Sequence, residues 1–336
     1  MRRSVAVFAA TLIPVLLTSG LVVTSLLSGA TTGLTWRQGA HLRGVFDVVG
    51  PRGDGRFVVA ARGGLFLLDA AGRLVRLDPS YVPTAGESYV AISPGLRDRS
   101  GRCSFPRDAI AALDLAPGHP GVTLVSATGV VSHLANVTGV TGLYGITMDV
   151  SGRFGHRILV VGREGGGHTK IVAVDCLGRV STIGSVDVPL EGGIAVAPPT
   201  FGAFAGELIA PDELDGILYA VSPNGRLAAV ARSGLPFGQD VGVESLGFVP
   251  AGGPGGAFLA DRLTPGGRHP GHDRVLVLSG AALRGADVTA GDLLAATEGG
   301  ATVIRVRCAA NCSVASVVAA PTAAHGEGSL SVVPRP

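Results

Sequence analysis

A strand–turn–strand unit recurs along the chain, and this repeat limits the possible folds more than any other feature of the sequence. Its three clearest copies are residues 65–68 with 73–77, residues 171–174 with 179–183, and residues 217–221 with 226–230. Each turn contains a glycine (Gly72, Gly178 or Gly225), which supplies the positive φ that a tight hairpin turn requires. Short runs of Val, Ile and Leu between turn residues continue beyond these copies. The sequence therefore predicts a nearly all-β repeat protein.

A further apolar strand precedes each unit, and most of its copies open on an acidic residue and close on proline. The copies begin at residues 44, 87, 143, 191, 244 and 327, and the last interval holds a degenerate start near Ala286. A mean spacing of about 47 residues is that of propeller blades. We predict a six-bladed β-propeller with four strands per blade, with seven blades or a β-sandwich as alternatives. Residues 327–334 would close the ring by pairing with N-terminal strands.

The first 30 residues have the three parts of an export signal. Arg2 and Arg3 precede an apolar run at residues 5–27, and Ser28-Gly29-Ala30 ends it. We predict a signal peptide at residues 1–30, a linker at 31–43 and a single propeller domain at 44–336. The apolar run could also span a bilayer, so an uncleaved membrane anchor is the alternative. Either way we expect an exported, monomeric protein.

The balance of charges argues against a nucleic-acid partner. Without residues 1–30 the chain has 25 basic residues against 25 acidic ones. Binding to nucleic acid depends on a surplus of lysine and arginine facing phosphates. We therefore expect no nucleic acid to be bound, and contact with a membrane only through the N-terminal segment.

Four cysteines indicate disulfides, because these are the default state of cysteine in an exported chain. Cys308 and Cys312 are separated by three residues, a turn-length spacing that predicts a local bridge. Cys103 and Cys176 remain, and the sequence leaves their pairing open. Zinc is the competing interpretation, but no nearby Cys or His pair supplies two further ligands.

Propeller geometry predicts where charged side chains meet. The connection into each innermost strand and the connection between the second and third strands open on the same face, around the mouth of the central channel. The first set of connections brings acidic residues there, namely Glu87, Glu191, Glu244 and Glu327. The second set adds Arg62, Arg163, Glu164, Asp212, Glu213, Asp261, Arg262 and Glu298. Crowded carboxylates repel one another, so we expect a positive partner: Ca²⁺ or another divalent metal, or the arginines themselves.

The widest of these connections, residues 261–273, contains His269 and His272 among glycines and prolines. Histidine titrates near neutrality and binds metals. The loop is therefore a candidate source of a metal ligand or a general base, and a solvated loop tip is the alternative.

Several segments resemble the six-bladed propellers of the NHL and regucalcin/gluconolactonase group, which includes TolB-like proteins. They are Ile-Ala-Pro-Asp-Glu at 209–213, Gly-Ile-Leu-Tyr at 216–219, the Asn224-Gly225 turn, Glu191-Gly192 and Glu327-Gly328. In the lactonases a Glu-Gly-Pro motif supplies a ligand to a divalent metal, together with an Asn and an Asp from other blades. Gly193 and Ser329 stand here where that motif has proline.

Two functions are compatible with these features. The first is a binding or interaction module, whose acidic channel mouth takes a small molecule, a glycan or a protein and holds calcium. The alternative, implied by the resemblance, is a metal-dependent hydrolase of lactones or esters. In that hydrolase Glu191, Glu244 and Asp261 would hold the metal, and Asp212 would be the general base toward water.

Overall fold

The computed structural model describes residues 34–84 and 86–335. The predicted signal peptide and its membrane-anchor alternative fall outside these residues. Within them, no helix has the length and apolarity needed to cross a membrane.

The described chain forms six four-stranded antiparallel sheets, and adjacent innermost strands contact one another around a ring. The prediction of a six-bladed β-propeller is confirmed, and neither alternative is needed. The chain begins with β1 (Arg37–His41), the outer strand of blade 6. Blade 1 comprises β2 (Val45–Val49), β3 (Phe57–Ala61), β4 (Gly64–Leu68) and β5 (Leu74–Arg76).

Blades 2 to 4 follow in chain order, each running from the innermost strand outward. Blade 2 comprises β6 (Val90–Ile92), the small hairpin β7 (Leu96–Arg97) and β8 (Ser104–Phe105), then β9 (Ile110–Asp114), β10 (Gly121–Val125) and β11 (Val131–Asn136). Blade 3 comprises β12 (Gly142–Met148), β13 (Ile158–Arg163), β14 (Thr169–Val174) and β15 (Val180–Val186). Blade 4 comprises β16 (Ala195–Val196), β17 (Leu208–Asp212), β18 (Ile217–Val221) and β19 (Leu227–Arg232).

Blades 5 and 6 are interleaved in sequence. The innermost strand of blade 5, β20 (Val243–Phe248), leads directly into two strands of blade 6, β21 (Pro254–Asp261) and β22 (Arg274–Ser279). The helix α1 (Gly280–Gly285) then returns the chain to blade 5. That blade is completed by β23 (Leu293–Thr297), β24 (Val303–Cys308) and β25 (Cys312–Val318), and the last strand, β26 (Gly326–Pro334), is the innermost of blade 6.

The structure corrects two predictions. No strand starts near Ala286, because that residue ends α1, whose first turn is capped by the Ser279 hydroxyl accepting from the Ala282 amide at 3.2 Å. Residues 37–41, predicted as part of a linker, form β1 and pair with β22. An outer strand buries little surface, so it lacks the apolar run that marks the inner ones. Blade 6 closes the ring, because it contains both the N-terminal strand β1 and the C-terminal strand β26. The predicted pairing of the last strand with an N-terminal strand is not present, since β26 pairs with β21 and not with β1.

The core lies between neighbouring blades. All five residues of β2 and of β3 are buried, as expected for strands with a sheet packed on each face. Four phenylalanines are among the largest fully buried side chains: Phe46, Phe105, Phe154 and Phe201. This close packing fixes the inner strand ends, and those ends carry the polar residues described next.

Both disulfides form. Cys308 and Cys312 close the β24–β25 hairpin with 4.0 Å between their Cα atoms. Cys103 and Cys176 join a loop of blade 2 to the outer hairpin turn of blade 3, with 5.8 Å between their Cα atoms. The pairing that the sequence left open is therefore a bridge between blades.

Candidate functional site

A small acidic cavity lies where the innermost strands begin, at the mouth of the channel. Its volume is about 190 Å³, and six glutamates line it: Glu87, Glu191, Glu213, Glu244, Glu298 and Glu327. They converge because the strands are antiparallel. Glu244 and Glu327 lie at the starts of β20 and β26, while Glu213 and Glu298 follow the ends of the adjoining β17 and β23.

Three cations pair with four of these carboxylates. The Arg262 guanidinium donates to Glu87 at 2.5 Å and to Glu327 at 3.0 Å. Arg163 donates to Glu191 at 3.1 Å and also lies over the ring of Tyr144, 5.3 Å from its centroid. The Arg262–Glu87 and Arg163–Glu191 contacts join different blades, so the predicted pairing of arginines with glutamates is present.

The third cation is His325, whose Nε2 lies 2.8 Å from Glu298 and 3.4 Å from Glu327. Burial alone would lower the pKa of His325, but hydrogen bonds to the two glutamates and their charges raise it to about 10. Ligand atoms of these three side chains all lie within 4.8 Å of one another, so the group could also hold a metal ion.

Two of the six glutamates have no cationic partner among the described residues. Glu213 lies between Glu191 and Glu298, and its buried Oε1 receives no hydrogen bond. Burial, followed by the charge and hydrogen bonding of Glu298 and then Glu191, raises the pKa of Glu213 to about 9. Burial and the charges of Glu327, Glu298 and Glu191 raise the pKa of Glu244 well above its usual range. Without a further cation, burial and the neighbouring charges favour the protonated form of both side chains.

Hydrogen bonds of Tyr89 locate one of these protons. The Tyr89 hydroxyl lies 2.8 Å from Oε1 of Glu244 and 2.8 Å from Oε2 of Glu327. A phenol carries one proton, so it can donate to only one carboxylate and must accept from the other. Glu327 already accepts from Arg262 and His325. The consistent arrangement is a protonated Glu244 that donates to Tyr89, which donates in turn to Glu327.

Of the remaining predicted site residues, two lie near the mouth but do not line the cavity. Arg62 is exposed, and its side chain has no partner in the part of the chain that the structure describes. Glu164 accepts from the Ser185 hydroxyl at 2.5 Å and lies 3.7 Å from Nζ of Lys170.

Asp212 and Asp261 are buried outside the lining of the cavity. Asp212 accepts from the Leu214 amide at 2.9 Å. Burial, the charge of Asp215 and, less strongly, that of Glu191 raise the pKa of Asp212 to about 6. Asp261 is completely buried and accepts from the His325 amide at 2.9 Å. The structure thus brings Glu191 and Glu244 to one cavity with Glu213 and Glu298 rather than with Asp261.

The two histidines of the 261–273 loop have separate positions. His272 Nδ1 lies 3.1 Å from Oδ2 of Asp261. His269 Nδ1 lies 2.6 Å from the carbonyl oxygen of Thr322. His269 lines a cavity that adjoins the acidic one.

Sequence reasoning missed Tyr89 and His325. Each lies two residues from a glutamate that was predicted, Glu87 and Glu327 respectively, at the entry to an innermost strand. Residues 325–327 are extended, and alternate residues of an extended chain point to the same side, so this period of two is the signal that could have found His325. The chain turns between Glu87 and Tyr89, where the Tyr89 amide donates to the Glu87 carbonyl at 2.7 Å, so the same signal does not apply to Tyr89.

Gly193 and Ser329 stand where the lactonase motif has proline. Each donates a hydrogen bond through its backbone N–H, a group that proline lacks. The Gly193 amide donates to the Glu244 carbonyl at 2.8 Å, and a Cβ at Gly193 would lie 2.4 Å from the Gly328 carbonyl oxygen. The Ser329 amide donates to Asp47 at 2.8 Å. Proline at either position would remove a hydrogen bond between blades.

The sequence matches no protein-family model, and no curated protein matches it. Solved structures of similar architecture include the calcium-binding protein regucalcin from Agrobacterium tumefaciens (16% identity, TM-score 0.49, covering 90% of this chain and 83% of that one). A streptogramin B lyase has 12% identity and a TM-score of 0.48, covering 85% of this chain and 74% of that one. A gluconolactonase from Xanthomonas campestris has 15% identity and a TM-score of 0.42, covering 68% and 69%.

Proposed function

We propose that the protein is a divalent-cation-dependent hydrolase of lactones or other carboxylic esters, with its active site in the acidic cavity. The observation that carries the proposal is the pair of glutamates without a cationic partner among the described residues, Glu213 and Glu244, in a cavity whose cations pair with other carboxylates. The structural similarities, at these TM-scores, add no argument for function.

The donor set fits a hard divalent cation. Glu191, Glu213, Glu244 and Glu298 line one cavity, and the charges of Glu191 and Glu298 act on both Glu213 and Glu244. Such cations prefer oxygen ligands, and Ca²⁺ accepts them from separate loops with little demand on geometry. A bound cation would also satisfy Oε1 of Glu213, which has no donor. When bound, it would polarise the ester carbonyl and acidify a coordinated water.

Residues around the cavity can donate and take up the protons that ester hydrolysis requires. With Glu244 ionised beside the cation, the Tyr89 hydroxyl that contacts it is placed to give its proton to a leaving alkoxide. His325 can return a proton to Tyr89 through Glu327, which both of them contact. Asp212 does not line the cavity, so no role toward water is assigned to it.

The test is hydrolysis of a panel of five- and six-membered lactones and 4-nitrophenyl esters, with added Ca²⁺ or Mn²⁺ and with EDTA. We expect turnover that EDTA abolishes, and a loss of at least about 100-fold in Glu213→Gln, because a Lewis-acid metal supplies several kcal/mol to the transition state. Glu164→Gln, at a glutamate outside the cavity, is the matched control and should retain activity. Cation binding without turnover on any member of the panel would contradict the hydrolase and favour a non-catalytic binding module.

We also propose that the protein is exported. The export-signal features of residues 1–30 and the two disulfides support this, since disulfides persist in oxidising compartments. N-terminal sequencing of the protein isolated from its native cell fractions would test the proposal. A mature chain in the cytoplasm with reduced cysteines would contradict it.

A further inference from the structure

A cavity lined by arginines lies on the face of the propeller opposite the acidic mouth. Its volume is about 440 Å³, within the range of sites for small molecules. Its charged lining residues are four arginines and two aspartates: Arg99, Arg153, Arg157, Arg179, Asp98 and Asp175. They come from the β7–β8 hairpin of blade 2 and from the β12–β13 connection and the β14–β15 turn of blade 3. These segments follow the strand ends that lie away from the acidic mouth.

The β7–β8 hairpin is an addition to the blade repeat. Among the described residues it is the one sheet outside the six blades, and it lies within the connection formed by residues 93–109. Insertions into a repeat often form the binding face of a repeat protein. The Cys103–Cys176 disulfide fixes the hairpin to blade 3, and the Arg99 amide donates to the Gly155 carbonyl at 3.2 Å. The two walls of the cavity are therefore joined before any ligand binds, which lowers the entropic cost of binding.

Positive charge exceeds negative charge in this cavity. Arginine is charged throughout the physiological pH range, so four arginines against two aspartates leave an excess of two positive charges. Both aspartates are buried and accept hydrogen bonds within their own turns. Asp98 accepts from the Ser100 amide at 2.7 Å. Asp175 accepts from the Leu177 amide at 2.9 Å and pairs with Nε of Arg179 at 2.6 Å.

Several guanidinium donors in the cavity are free. The side chains of Arg99 and Arg153 are exposed, and neither makes a hydrogen bond or an ion pair within the part of the chain that the structure describes. Arg157 is half-buried and held in place from two sides. Its Nε donates to the Phe154 carbonyl at 2.5 Å, and its Nη1 donates to the Ser181 hydroxyl, which leaves Nη2 free. Because like charges repel, an anion bound among these groups would stabilise the arrangement.

We propose that the arginine cavity binds a phosphate monoester carried by a small soluble molecule. Such a group has a charge of about −1.5 to −2 at pH 7 and three strong acceptor oxygens. Its charge matches the excess in the cavity, whereas a carboxylate supplies one negative charge. Guanidinium groups bind phosphate oxygens through strong, directional pairs of hydrogen bonds. The site lies on the face opposite the proposed active site, so this inference does not rest on the hydrolase function.

The test is calorimetric titration of the full-length protein with glycerol 3-phosphate, glycerate and glycerol. We expect glycerol 3-phosphate to bind at least about tenfold more tightly than glycerate, and glycerol not to bind. Arg99→Gln and Arg153→Gln should each weaken the binding of glycerol 3-phosphate about tenfold, as loss of one charged hydrogen bond should. Both side chains are exposed and unpaired, so the melting temperature without ligand should not change. Arg62→Gln is the matched control, because it removes an exposed, unpaired arginine from the opposite face.

Four results would overturn the inference. The first is absence of binding to glycerol 3-phosphate. The second is glycerate binding as tight as that of glycerol 3-phosphate, since the cavity would then not select a doubly charged group. The third is an affinity for glycerol 3-phosphate that is the same in the wild type and in a double variant with Arg99→Gln and Arg153→Gln, which would place the ligand elsewhere. The fourth is binding to vesicles of phosphatidic acid and phosphatidylcholine without binding to glycerol 3-phosphate, which would assign these arginines to a membrane surface.

Discussion

The hydroxyl of Tyr89 lies 2.8 Å from Oε1 of Glu244, and the same oxygen lies 2.8 Å from Glu327. One phenolic proton cannot serve two carboxylates, and Glu327 also accepts from Arg262 and His325, so the arrangement that satisfies every contact has the proton on Glu244. These hydrogen bonds link Glu244, which has no cationic partner among the described residues, through Tyr89 and Glu327 to the cations Arg262 and His325.

Replacing Tyr89 by Phe should therefore destabilise the fold, because it leaves two buried carboxyl groups without a shared partner. We expect a loss of about 2–3 kcal/mol in the free energy of unfolding, measured by urea titration. Tyr144→Phe is a matched control, since the described residues offer its hydroxyl no hydrogen bond; its effect should stay within about 0.5 kcal/mol. Glu244→Gln keeps a neutral hydrogen-bond donor, so it should lower the free energy of unfolding less than Glu327→Gln does. Equal losses in the two variants would show that the proton does not lie on Glu244.

Asp47 should make stability depend on pH. Its buried carboxylate accepts amides from three blades, those of Val48, Val90 and Ser329, each at 2.8 Å. Burial, only partly offset by these hydrogen bonds, raises the pKa of Asp47 to about 6. The folded state then binds more protons than the unfolded state between about pH 4 and pH 6, so stability falls as pH rises through this window.

The rise in the pKa of Asp47 corresponds to a fall of about 3 kcal/mol in the free energy of unfolding between about pH 4 and pH 6. Urea unfolding from pH 4 to 7.5 would measure it. Asp47→Asn should flatten this contribution, but it should also lower overall stability, because the new NH₂ is a donor and would face a backbone N–H that now donates to Asp47. A variant with the same pH profile as the wild type would contradict the assignment.

The two disulfides should contribute unequally. Cys103–Cys176 closes a loop with a sequence separation of 73, whereas Cys308–Cys312 has a separation of 4. Loop-closure entropy predicts about 4 kcal/mol for the long loop and about 2 kcal/mol for the short one. Urea unfolding of the two Cys→Ser double variants would compare them directly. A larger loss from the short loop would rule out this entropic explanation.

The sequence predicted the fold well because each blade repeats the same local signals. Hairpin glycines such as Gly72 and acidic strand entries such as Glu191 recur at blade spacing, and antiparallel pairing then places the entries on one face. The exchange between blades 5 and 6 was not predictable in this way. A run such as β21 indicates a strand, but it does not indicate which sheet the strand joins.

Parts of the site were also beyond local reasoning. Tyr89 and Asp47 lie within apolar segments, and only the packing of separate blades shows that they bind Glu244 and Ser329. The choice of Asp261 as a neighbour of Glu191 came from its position at a strand end. Its carboxylate instead binds the His325 amide, a contact that depends on how the last strand closes the ring.

The central claim is that a divalent cation takes the place of protons on Glu213 and Glu244. The most direct test is calorimetric titration of Ca²⁺ and Mn²⁺ at pH 7 in two buffers of different ionisation enthalpy, which counts the protons released. Our account predicts saturable binding with release of about two protons per ion, and weaker binding with about one proton fewer in Glu213→Gln. Absence of binding, or binding that releases no protons and is unchanged by Glu213→Gln, would contradict it.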